Sequence, residues 1–143
     1  MKIEHVIARK GRGVFTLPSN ASVGEAMRVL AENNIGAVVI ADAAGGPIGI
    51  LSERDLIRNA AAGTLRDDAP VSAVMSSPIV TGAPGDDVEA VLRTMTDRHF
   101  RHLPVVDEGS LVGVVSLGDL VKAQLQQMKG TVENLEAQLM ESE

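Results

Sequence analysis

Apolar residues recur along the chain in short blocks of two kinds, and their spacing predicts the elements. Val23, Ala26, Met27 and Leu30 make the i, i+3, i+4, i+7 stripe of an amphipathic helix, opened by Ser22 and Glu25 as a capping box and ending near Asn33-Asn34. The apolar run at 37–41 is too short for a good helix and reads as a buried strand; the turn Gly45-Gly46-Pro47 leads into a second strand over 48–51. Upstream, Val14-Phe15-Thr16-Leu17 reads as a short strand stopped by Pro18-Ser19-Asn20, with Gly11 and Gly13 breaking the segment before it. A helix begins after Ser52, carries Leu56, Ile57, Ala60 and Ala61, and stops at Gly63. After a polar connection over 64–70 the order returns. Residues 79–81 predict a strand, and Pro84-Gly85 a turn. The next helix has Asp86-Asp87 at its N-terminus and Val88, Val91, Leu92 and Met95 on its core face. Strands follow at 103–106 and 111–115 around Glu108-Gly109, and the final helix starts near Ser116. Each half is strand, helix, strand, strand, helix, an α/β (α+β) architecture.

The halves are copies. Gly49-Ile50-Leu51-Ser52-Glu53-Arg54-Asp55 returns as Gly113-Val114-Val115-Ser116-Leu117-Gly118-Asp119, and residues 23–42 align without a gap to 88–107. One residue is dropped in the turn at 43–47. Two copies are too few for a solenoid but enough for a pair that buries its apolar faces between the halves. A unit of about 50 residues alone buries too little surface for comfortable stability, so the halves are expected to fold as one body. The expected boundaries are 1–66 for the first repeat with its N-terminal segment, 67–127 for the second, and 128–143 for a helical tail.

The tail changes the picture of a closed pair. Val121, Leu125, Met128, Val132, Leu135 and Leu139 have the 4, 3, 4, 3, 4 rhythm of a coiled-coil seam. Two readings stand: a helix packed back on its own repeat, or a helix that pairs with another subunit or partner. Gly130 lies inside it and costs about 1 kcal/mol relative to Ala.

Composition narrows the function. A net charge of −6 argues against a general nucleic-acid or anionic-membrane binder, and Arg9-Lys10-Gly11-Arg12, the one basic stretch near the N-terminus, reads as a solvated segment. With no cysteine there is neither a disulfide framework nor a thiolate site. The N-terminus lacks a continuous apolar signal core, and no run approaches the length of a membrane span, so a cytoplasmic protein is expected.

Catalytic patterns are weak. No metalloprotease helix motif, phosphate-loop lysine or dinucleotide fingerprint is present, and Gly11-Arg12-Gly13 is an isolated fragment. Ser116, His102 and Asp119 form no nucleophile elbow, and the chain is read as non-catalytic, with no metal required. Ser52/Asp55 and Ser116/Asp119 are capping signatures in themselves. They also sit where a strand ends and a helix opens, with free backbone N–H groups for an anion and a carboxylate that can accept from a ribose diol.

The tandem heptapeptides, the Val71-Ser72-Ala73-Val74-Met75 segment and the strand Arg101-His102-Leu103-Pro104-Val105-Val106 together resemble a pair of CBS domains (a Bateman module), over about residues 5 to 127. The resemblance implies two repeats packed about a pseudo-twofold axis, with adenine nucleotides (AMP foremost, or ATP, ADP or NAD) held in two clefts between them. It implies that Asp55 and Asp119 hold ribose hydroxyls, that Ser52 and Ser116 assist, and that Thr16 and Thr81 lie on loops entering each site. Gly36, Ala37 and Pro104 are further candidates on the cleft walls, although Ala37-Val38-Val39 replaces the proline-containing His102-Leu103-Pro104 of the second half. With two Phe and no Trp or Tyr, an adenine would be held by aliphatic side chains and backbone groups.

Arg101 and His102 are expected beside Asp119, making that cleft the preferred phosphate site. Arg54 is a third cation candidate, and a charged His102 would make affinity fall as pH rises through about 6.5. The functional expectation is a sensor that transmits nucleotide status to a regulated protein, as a homodimer formed through its CBS helices and C-terminal helix. The alternative is a structural adaptor that keeps the fold without a ligand.

Overall fold

The structure is a computed structural model that describes residues 1–11 and 14–141. Arg12 and Gly13, part of the basic run and of the glycine break, and the last two residues of the tail lie outside the described residues. In chain order the elements are α1 (Ile3–Lys10), β1 (Thr16–Pro18), α2 (Val23–Asn33), β2 (Ala37–Ala41), β3 (Pro47–Ser52), α3 (Glu53–Ala61), a 3-10 turn at Val71–Ala73, α4 (Val88–Arg98), β4 (His102–Asp107), β5 (Ser110–Ser116) and α5 (Leu117–Glu141).

α2 and α4 open at the caps that the sequence predicts. Ser22 Oγ accepts from Glu25 N at 3.1 Å, and Asp87 Oδ2 accepts from Ala90 N at 3.0 Å. Asn34 and His99, equivalent positions in the two halves, both end their helices in the left-handed conformation, at φ 52° and 60°. β1 runs parallel to β2, and β2 is antiparallel to β3; β4 and β5 form a separate antiparallel hairpin. Positive φ at both Glu108 and Gly109 gives the tight two-residue turn that suits strand twist. The 79–81 strand differs from expectation. The second half keeps only one parallel bridge, Gly82 with Val105, where the first half has β1.

The cores are exchanged at their edges. Val71, Val74 and Met75, at the start of the second repeat, pack with Leu30, Val38, Ile40 and Leu51 of the first. The N-terminal segment forms α1, which periodicity did not reveal, and its Ile3 and Val6 pack with Val88, Met95, Leu103 and Val115 of the second half. Matching hydrogen bonds fix both exchanges: Val71 N to Ala21 O and Val23 N to Ala69 O, against Ile3 N to Asp86 O and Val88 N to Met1 O. Each segment lies where a glycine of the heptapeptide leaves room. A Cβ on Gly49 would overlap Met75, and one on Gly113 would come within 3.2 Å of Ile7. Each half therefore needs a piece of chain from outside its own repeat.

α5 buries Leu120 and Ala123 in this core, then leaves it. Val121, Leu125, Met128, Val132 and Leu135 are between 44% and 61% exposed, so the stripe is not packed back on its own repeat.

Candidate functional site

Each heptapeptide ends a strand and caps the next helix. Ser52 N and Oγ donate to Asp55 Oδ2 at 2.9 and 3.1 Å, and Asp55 N donates back to Ser52 Oγ at 3.3 Å. At the second junction Ser116 N donates to Asp119 Oδ2 at 2.9 Å and Asp119 N to Ser116 Oγ at 3.0 Å. The capping role is realised twice, and both aspartates are held half-buried and rigid at a helix mouth.

The surroundings of the two aspartates differ. Asp55 opens on a cleft of about 490 Å³, within the range of small-molecule sites. Its walls include Gly36, Ser52, Arg54, Arg58, Ser76, Arg101 and His102. Ser76 Oγ donates to Asp55 Oδ1 at 3.1 Å. Among the described residues, the side chains of Arg54, Arg58 and Arg101 make no hydrogen bond or ion pair. Three guanidinium groups without carboxylate partners beside one capped carboxylate suit a ligand with a phosphate and a diol.

Asp119 is already paired. Lys10, at the end of α1, places its ammonium 2.6 Å from Asp119 Oδ2 and donates to Val114 O at 3.0 Å. Burial by itself raises the Asp119 pKa, but the Lys10 hydrogen bond and charge and the Ser116 donors outweigh it and hold the carboxyl below its usual value.

This placement corrects the expectation for Arg101 and His102, which line the Asp55 cleft rather than making a cationic wall for Asp119. The strand register explains the error. His102 pairs with Ser116 as Ala37 pairs with Ser52, and Arg101 O accepts from Leu117 N as Gly36 O accepts from Glu53 N. The backbone thus ties each segment to its own half, while Arg101 and His102 reach across the pseudo-twofold. His102 meets Gly36 there; a Cβ on Gly36 would stand 3.0 Å from its Nε2. Burial, reinforced by Lys10 and opposed by Glu53 and Asp119, lowers the His102 pKa, so the ring is largely neutral at neutral pH and not the cation expected.

Of the other candidates, Gly36 and Arg54 lie in the Asp55 cleft, and Ala37 is buried in β2 next to it. Thr16 is exposed at the start of β1. Thr81 lines a separate cavity of about 280 Å³ beside α4, with Asp86 and Leu103. Pro104 is buried in β4, and its carbonyl accepts from Gly82 N. Sequence reasoning missed Lys10, Ser76 and Arg58. In the sequence Lys10 reads as part of a solvated run, and only the α1 fold-back brings it to Asp119. Arg58 had a legible signal, standing four residues after Arg54 on the same helix face. Among the described residues no cluster of His, Asp and Glu is arranged to hold a metal ion, and no helix is long and apolar enough to cross a membrane.

Comparison with known proteins agrees with this construction. The chain is 35% identical over 112 residues to the CBS domain-containing protein YhcV of Bacillus subtilis, spanning 78% of this chain and 79% of that one. It superposes on the crystal structure of the CBS-domain containing protein ATU1752 of Agrobacterium tumefaciens with a TM-score of 0.81 and 37% identity, covering 87% of this chain and 99% of that one. The CBS domain protein PAE2072 of Pyrobaculum aerophilum, solved as a complex with AMP, gives a TM-score of 0.75 and 31% identity over 83% of this chain and 89% of that one. The family model described as the CBS domain matches twice, over residues 7–62 and 71–126, and the chain belongs to the CBS-domain family.

Proposed function

We propose that this CBS-domain pair binds an adenine nucleotide, AMP foremost, in the Asp55 cleft and relays its occupancy to another protein. CBS-domain pairs are regulatory modules in general, and one similar protein is known in complex with AMP. The observation that carries the reading for this chain is the open cleft in which three unpaired arginines surround a fixed carboxylate. Asp55 takes the ribose hydroxyls and Arg101, with Arg54 or Arg58, the phosphate; Ile50 and Phe100 offer apolar surface to the base. The binding energy acts by favouring one arrangement of the two halves over another, which a partner then reads.

Calorimetric titration with AMP, ADP, ATP, NADH and S-adenosylmethionine tests the ligand. AMP is expected to bind; an absence of heat and of thermal stabilisation by any of the five at millimolar concentration removes the sensor reading and leaves the adaptor. The exposed stripe on α5 supports a homodimer under either reading, because an apolar face of that length on a free helix favours a partner surface. Light scattering at tens of micromolar should give the mass of a dimer, and a monomer would exclude it.

A further inference from the structure

α5 leaves the body of its repeat carrying an apolar seam. Its last buried residue is Ala123, and Arg9 tethers the turn that follows by donating from Nη1 to Gln126 Oε1 at 3.0 Å. Leu125, Met128, Val132, Leu135 and Leu139 are then each more than half exposed on a helix that runs to Glu141. A projecting helix of this length has little stability of its own in water, and Gly130 lowers it further. The seam therefore calls for an apolar cover, and the charges beside it select one.

Leu125, Val132 and Leu139 stand at a positions of the heptad and Met128 and Leu135 at d. Lys129 and Glu136 each follow a d residue, so they stand on the same edge of the seam, while the opposite edge carries the uncharged Gln124, Thr131 and Gln138. Lys129 and Glu136 make no ion pair among the described residues, although Glu133 is only one helical turn from Lys129. In a parallel pair of identical helices the charged edge of one copy lies against the uncharged edge of the other, and neither charge is answered. In an antiparallel pair like edges meet and a faces d. One register sets Met128 against Leu139 and Val132 against Leu135 of the second copy, and the same register brings Lys129 against Glu136. The twofold axis then repeats every contact.

We propose that the exposed face of α5 is the seam of an antiparallel two-helix coiled coil with a second copy of this chain, in the register that sets Met128 against Leu139 and Lys129 against Glu136. This rests on the homodimer reading above and adds the direction, the register and the ion pair that selects them. The bodies of the two copies then stand at opposite ends of the paired segment rather than side by side.

The chain has no cysteine, so a single engineered thiol reports its own neighbour. In a glutathione redox buffer, Met128→Cys alone and Leu139→Cys alone should give no covalent dimer. In the antiparallel register each thiol lies about 17 Å along the helix from its copy, beyond the reach of a disulfide. An equimolar mixture of the two variants should give the mixed disulfide. Lys129→Glu should raise the dimer dissociation constant by about tenfold by setting carboxylate against carboxylate, and Glu136→Lys should do the same with ammonium groups. The double variant, or a mixture of the two single variants, should return it to within about threefold of the unmodified chain. All these positions lie past the last buried residue of α5, and melting curves confirm that each variant is folded. Covalent dimers from either thiol variant alone would show parallel helices and overturn the proposal. So would the absence of a mixed disulfide in a chain that light scattering shows to be dimeric, or charge variants whose dissociation constants do not move. A monomer at tens of micromolar would remove the homodimer reading itself and leave the seam to a different protein.

Discussion

The Asp55 and Asp119 junctions share a backbone, a serine cap and a position in their repeats, yet one opens on free arginines and the other is closed by a lysine. The difference arises because neither aspartate's surroundings come from its own repeat alone. Arg101 and His102 of the second half line the cleft of Asp55, and α1, from ahead of the first half, supplies the cation at Asp119. An internal repeat conserves the frame around a site, but the walls come from across the pseudo-twofold, where the two copies are free to differ.

The largest expected effect follows directly. Asp55→Ala should weaken AMP binding by roughly 10- to 150-fold, the loss of a charge-assisted contact to a ribose hydroxyl, and Asp119→Ala should weaken total binding less. Both replacements also remove a member of a helix cap, costing about 1 kcal/mol of stability each. Titrations paired with melting curves separate the two consequences. A larger affinity loss for Asp119→Ala would invert the comparison.

How far the sequence carried this arrangement depends on the range of the interactions involved. Helix caps and strand periods act over a few residues, so α2, α4, both hairpins and the Ser-Asp junctions were legible, as was the seam of α5. What escaped notice was decided by tertiary packing. The 79–81 strand is reduced to the Gly82 bridge because it meets only Val105. α1 was invisible because its apolar residues, Ile3, Val6 and Ile7, are few and find their partners some 80 or more residues away. Arg101 was placed in the wrong cleft for a related reason: register assigns a residue to a strand, not to the side of a pseudo-twofold on which its side chain ends. Lys10 was discounted as solvated by the same limitation, since its acceptors lie on β5 and α5.

The comparison extends to the helices that follow each motif. α3 stops at Ala61, just before Gly63 turns the chain at φ 74°, whereas α5 continues to Glu141. Truncation after Gln127 removes Met128, Val132 and Leu135 from the exposed stripe. If this length is an intersubunit contact, the dimer dissociation constant should rise by at least about tenfold, given about 1.5–3 kcal/mol for each well-buried apolar side chain, with AMP affinity unchanged. Sedimentation or light scattering across a dilution series reads this out. An unchanged dimer would assign self-association to the repeats alone.

Arg101→Ala sharpens the comparison from the cation side. It should cut AMP affinity by about tenfold while changing adenosine affinity little, and should flatten the salt dependence, because a guanidinium contact to phosphate is lost. Combined with Asp55→Ala the losses should be non-additive if, as proposed, both groups hold one ligand. Additive losses, or equal losses for the two ligands, would return Arg101 to the Asp119 cleft or to the surface.

The smallest effect concerns His102, which lines the Asp55 cleft and also feels the Lys10–Asp119 pair: Lys10 and Arg101 lower its pKa, while Glu53 and Asp119 raise it. Burial is the largest influence and the net result is a folded-state pKa below 6.5. In the window between that lowered value and the unfolded value near 6.5, the unfolded chain binds more protons than the folded one. Stability should therefore rise with pH through this window, reach its full value above about 6.5, and be lost on acidification. Asp119, also lowered, adds a loss of the same sign only below its ordinary value of 3.8, well separated in pH. Urea midpoints measured from pH 3 to 8 should show the His102 slope, and His102→Gln should flatten it without altering the loss that begins below about 3.8. The same neutral ring has a consequence for ligand binding. AMP affinity should be level between pH 7 and 8, where a protonated histidine contacting phosphate would have produced a decline as it lost its proton. A decline in that range that disappears in His102→Gln would show that the bound nucleotide charges the ring, and would make His102 a phosphate contact rather than a neutral wall between the Asp55 cleft and the Lys10–Asp119 pair.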